Sequence, residues 1–95
     1  MVVGICILRF RLHDCRSLKA KRRVVKAIVQ QVRNKFNASV AEVGANDIYR
    51  RAEIGVTMAG SDTKVINAKL DKMINMVDDL NLAELMDTEM EIIHL

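Results

Sequence analysis

With 95 residues and 10.7 kDa the chain has room for one core, and a composition that is 51% hydrophobic and 28% charged argues against both disorder and a membrane span. Aromatic residues make up only 3% and Trp is absent, which leaves little for a function built on stacking. Fifteen Lys and Arg against twelve Asp and Glu give +3, too small an excess to imply an anionic partner without regard to where the charges lie.

Residues 2 to 12 (VVGICILRFRL) are β-branched and then alternate, with Leu8, Phe10 and Leu12 on one face and Ile7, Arg9 and Arg11 on the other, which predicts a strand with one dry face. Met1 to Leu8 lacks a basic leader, and Arg9 and Arg11 break the apolar run. Neither a signal peptide nor a membrane helix is expected, and the expected compartment is the cytoplasm. Ser17 is a good N-cap, and Leu18, Val25, Ile28, Val29, Val32 and Phe36 recur at helical spacing, so a helix is predicted over 18–35. Residues 38–44 and 52–60 alternate with period two around the loop ANDIYRR and read as two antiparallel strands. Ser61 is then expected to cap a helix over about 62–79 with Ile66, Leu70, Met73, Ile74 and Val77 inward. Residues 84–94 set Met86, Thr88, Met90 and Ile92 against Asp87, Glu89 and Glu91, a half-exposed strand.

The order βαββαβ predicts one α+β domain over residues 1–95. Its fold is ferredoxin-like, a four-stranded antiparallel sheet in the order 4-1-3-2 with both helices on one face. In that topology the segment His13 to Ser17, the start of the first helix and the loop Ala45 to Arg51 share one end of the sheet. On the open face, Arg9 and Arg11 are expected to meet Asp87, Glu89 and Glu91 across the sheet. Ile5 and Ile7 would leave a small apolar patch there suited to a homodimer.

Eight of the fifteen basic residues lie between Arg16 and Lys35, and no acid occurs between Cys15 and Ala41. At about 100° per residue, Lys19, Arg22, Arg23, Lys26 and Arg33 fall along one flank of the first helix, with Lys21 and Lys35 bordering the other side. Stability does not account for this arrangement. Cations in the first turns oppose the helix dipole by roughly 0.3–1 kcal/mol each, and the pairs 19/23 and 22/26 repel. Arg16, Arg50 and Arg51 extend the charge at the same end of the sheet, although pairing of Arg51 with Asp47 would withdraw one of them. The flank reads as a solvated basic face, as a surface for an acidic protein or, in the leading expectation, as a site for phosphate, most simply the backbone of a structured RNA.

Other chemistries find little support. Exposed aromatics on central strands, as in an RNA-recognition motif, are absent, and there is no G-x-x-G, P-loop or G-x-G-x-x-G, so neither sequence readout of DNA nor a nucleotide cofactor is expected. The neighbours His13, Asp14 and Cys15 do not make a nucleophilic site by adjacency alone. His13, Cys6, Cys15 and His94 lack paired metal-ligand spacing, so no catalytic residue and no metal are expected. Two cysteines are too few for a disulfide scaffold; both are read as reduced, with Cys6 in the core.

Three segments together, SLKAKRRVVK (Ser17 to Lys26), FNASVAEV (Phe36 to Val43) and DIYRRA (Asp47 to Ala52), resemble the YlxP-like family of small bacterial proteins over nearly the whole chain. That family usually has Trp where Tyr49 stands and often an acid where Gly44 stands. The resemblance implies the ferredoxin-like fold and, through the family's association with translation initiation and ribosome maturation, an RNA or ribosomal partner. It implies no enzymatic activity.

Overall fold

The computed structural model describes residues 1–95. Its elements are β1 (Val2–Arg11), α1 (Leu18–Lys35), β2 (Ser39–Gly44), β3 (Arg51–Gly60), α2 (Thr63–Asp79) and β4 (Glu84–His94). They form one antiparallel sheet in the order β2-β3-β1-β4, the expected 4-1-3-2 read from the other edge.

The central strand β1 alternates as its sequence predicts. Val2, Cys6, Leu8 and Phe10 are buried under the helices together with Ala52, Ile54, Val56 and Met58 of β3. From above, α1 contributes Val25, Ile28 and Val32, and α2 contributes Ile66, Leu70, Met73 and Val77. Gly4 lets α2 approach the sheet closely, because a Cβ there would lie 2.6 Å from Ile66 Cγ2 and 2.9 Å from Leu70 Cδ1. Both cysteines are free and buried.

Several boundaries differ from the sequence reading, each for a local reason. β1 ends at Arg11, yet Leu12 stays buried because its N–H reaches the Arg50 carbonyl at 2.9 Å. β3 begins at Arg51, which is therefore a strand residue and not part of the loop. The cap of α2 is Asp62 and not Ser61: Asp62 Oδ1 accepts from the N–H of Lys64 at 2.8 Å and of Val65 at 3.4 Å, and a carboxylate is favoured over a hydroxyl at the positive end of a helix. In the edge strand β4, Met86 and Met90 remain over 40% exposed, and Met86 does not continue the face of Thr88, Met90 and Ile92: a register shift sets Leu85 opposite Phe10, so Leu85 packs against the core instead.

Candidate functional site

The N-cap at Ser17 forms as expected, its hydroxyl accepting from the Ala20 N–H at 3.1 Å. The first turns of α1 then carry cations on an exposed flank. Lys19, Arg22, Arg23 and Lys26 are all exposed, and the first turn holds no acid. Of the fifteen Lys and Arg in the chain, only Arg9 and Lys21 have a carboxylate within 4.0 Å. Arg16 is exposed just before the helix. Arg33, at the far end of the same flank, is engaged differently. Its Nη2 donates to the Val40 carbonyl at 2.8 Å, tying α1 to β2.

At the sheet end, Arg50 lies over the Tyr49 ring at 5.8 Å from its centroid. Arg51 does not pair with Asp47; it stands directly opposite Arg11 across β1 and β3. The structure therefore divides the eight basic residues singled out in the sequence. Arg16, Lys19, Arg22, Arg23 and Lys26 belong to α1 and its approach, Arg50 and Arg51 to the adjoining strand end, and Arg33 is a tether.

Lys21 is the residue that sequence reasoning placed wrongly. It is not on a solvated border; it is 1% exposed, on the core line of α1 with Val25 and Ile28. Its Nζ lies 2.8 Å from Glu42 Oε2 and donates to the carbonyls of Ala45 and, at 3.4 Å, of Asn46. Ala45 has φ 56°, a left-handed conformation unusual for a side-chain-bearing residue, so the ammonium holds the β2–β3 turn in a strained shape. The signal was present in the sequence: Lys21 precedes Val25 by four residues and Ile28 by seven, and Glu42 has the strand parity of buried Val40.

On the open face, Arg9 meets Glu53 at 3.4 Å, Asp87 at 3.7 Å and Glu89 at 3.1 Å, the cross-strand pairing expected of it, whereas Arg11, expected to pair likewise, has no carboxylate within 4.0 Å. The Arg9 guanidinium pKa is raised, first by the bond to Glu89. Nearby, a cleft of about 460 Å³ opens between the β1–α1 segment and the α2–β4 connection and carries Asp14, Asp78 and Glu84. His13, on its rim, contacts Glu84 Oε1 at 2.7 Å, while Cys15 Sγ donates to the Ser17 carbonyl at 3.4 Å. His13 and Cys15 thus have separate partners, and neither is joined to Asp14. No group of three or more His, Cys, Asp or Glu is gathered to hold a metal, and no helix is long and apolar enough to cross a membrane.

The motifs of the chain converge on this end. Lys21 from the first is joined to Glu42 from the second, and both sit against the turn that leads into the third. Residues 3–90 match the family described as "Protein of unknown function (DUF503)". The chain belongs to the DUF503 family. The uncharacterized protein YlxP of Bacillus subtilis (strain 168) is 31% identical over 77 residues, which cover 81% of this chain and 84% of the relative. Among solved structures, the de novo designed protein Foldit4 superposes with a TM-score of 0.61 over 99% of this chain and 97% of its own. At 17% identity, that likeness concerns the fold alone.

Proposed function

We propose that this DUF503 protein is a non-enzymatic cytoplasmic accessory factor that binds structured RNA, such as that of a ribosomal particle. The contact surface is Arg16, Lys19, Arg22, Arg23 and Lys26, with Arg50 and Arg51 as further cations at the same end of the sheet. The observation that carries this reading is the exposed flank of α1, whose cations have no carboxylate partners and oppose the helix dipole. Lys19 to Lys26 spans about 10 Å along the axis, enough to follow successive phosphates of one strand. Side chains from a convex helix suit backbone contact, in keeping with an open sheet face that presents no aromatic ring: Phe10 is buried and Tyr49 lies in the β2–β3 loop. Titration with a generic RNA hairpin at rising salt tests the reading. Affinity is expected to fall steeply with salt, and a flat salt response would overturn it.

A second reading, a homodimer through the open sheet face, is favoured by Val43, which is 55% exposed there beside partly buried Ile5 and Ile7. Sedimentation at high concentration decides it, because a strict monomer removes this reading.

A further inference from the structure

Arg9 shows how this sheet accommodates an arginine, with three carboxylates from both neighbouring strands around one guanidinium. Two residues on, the same face does the opposite. Arg11 and Arg51 are direct partners in the β1/β3 register, both exposed, and neither has a carboxylate within 4.0 Å. Like charges directly opposite destabilise an antiparallel pair. The β4 residue in register with Arg11 is Glu84, placed to neutralise it, but its Oε1 is held by His13 at 2.7 Å. The Leu12 N–H bond to the Arg50 carbonyl, 2.9 Å, brings a third arginine to the same strand end, where Arg50 is steadied over the Tyr49 ring.

These groups line a groove of about 260 Å³ formed by Arg11, Leu12, His13, Arg50 and Arg51, with no carboxylate in its wall. The larger neighbouring cleft shares Arg11, Leu12 and His13 with it and holds Asp14, Asp78 and Glu84 on its far side, so the carboxylates lie beyond the shared wall while Arg50 and Arg51 line the groove alone. Arginine forks match oxyanions bidentately in a way that lysine does not. The groove lies below the usual size range of cofactor sites, which suits a single small group.

We infer that Arg11, Arg50 and Arg51 form a pocket for one phosphoryl group, separate from the flank of α1. The inference deepens the RNA reading and rests on it only in taking phosphate as the anion. The group is either a terminal phosphate of RNA or that of a free nucleotide.

The test follows the Nε–Hε resonances of the arginines by NMR in the intact protein during titration with inorganic phosphate, with a nucleoside 5′-monophosphate, and with a short RNA bearing either a 5′-phosphate or a 5′-hydroxyl. Saturable shifts are expected at Arg11, Arg50 and Arg51, with affinity for phosphate falling about 10-fold or more in Arg51→Gln. The same variant is expected to be no less heat-stable than the parent at low salt, since it relieves a like-charge pair. A preference for the 5′-phosphorylated RNA over its hydroxyl form assigns the group to an RNA end. A mononucleotide that binds more tightly than either RNA assigns it to a free nucleotide. Shifts spread evenly over Arg16, Arg22 and Arg23, or an Arg51→Gln protein that binds phosphate as before, would overturn the pocket. The ridge variant Lys19→Glu with Arg22→Glu separates the two proposals: it is expected to leave the phosphate titration intact even where hairpin binding is lost. Should phosphate binding vanish in the ridge variant and persist in Arg51→Gln, the anion sits on α1 and the pocket is wrong.

Discussion

Lys21 Nζ and Glu42 Oε2 lie 2.8 Å apart where α1 crosses the end of β2, with the lysine 1% exposed. Glu42 Oε2 has no hydrogen bond of acceptable angle, so the contact is chiefly coulombic, while the two turn carbonyls take the directed bonds of the ammonium. A lysine in this place joins three elements: its stem completes the apolar line of α1, and its head fixes both the edge strand and the turn that follows.

Lys21→Ala is therefore expected to cost about 2–4 kcal/mol in urea unfolding, because it leaves a half-buried carboxylate and two carbonyls without their donor. Glu42→Gln should cost less, about 1 kcal/mol, since the ammonium keeps both carbonyls. A double-mutant cycle with no coupling between the two positions would show that the pair contributes nothing beyond packing.

The flank of α1 is expected to behave in the opposite way. Lys19→Glu with Arg22→Glu should raise stability by roughly 0.5–2 kcal/mol at low salt, through the helix dipole, while abolishing binding to an RNA hairpin. Clear destabilisation would mean that these side chains serve the fold. Stability gained with RNA binding unchanged would place the functional surface elsewhere.

Cys6 gives a pH signature. Burial pushes its thiol from 9.0 up to about 11. Between those values the unfolded chain releases the proton and the folded protein keeps it. The contribution of Cys6 is thus present in full below the unfolded pKa and is lost as pH rises toward the folded one. Chemical unfolding at pH 8, 9, 10 and 11 should show a decline of about 1–2 kcal/mol attributable to this group. Cys6→Ala should flatten that part of the curve, and an identical slope in the variant would exclude the cysteine as its source.

Gly4→Ala tests the approach of α2 to the sheet. The added methyl would meet Ile66 and Leu70 side-chain carbons at 2.6 and 2.9 Å, so a loss of about 1–3 kcal/mol is expected. Ile66→Ala in the same background should cost less than it does in the parent, measured as the coupling in a double-mutant cycle, because it removes the Cγ2 that the new methyl meets.

Periodicity alone determined most of the architecture. Alternation in VVGICILRFRL and the apolar stripe from Val25 to Val32 fixed a strand and a helix, and the order of elements left one common sheet topology, because right-handed crossovers admit few others. The clustering of cations in α1 was equally legible, since charge and helical phase are both properties of the chain. Only the tertiary structure decided which charges are free. Lys21 and Lys19 are two residues apart in the same basic run, yet one is buried against Glu42 and the other exposed. Arg9 and Arg11 share a strand face, yet one is surrounded by carboxylates and the other faces Arg51. Partners of this kind come from strand register and from the approach of separate elements. A β-bulge that shifts β4 by one residue between Arg9 and Phe10, or a histidine that draws Glu84 aside, changes them without leaving any mark on the local pattern.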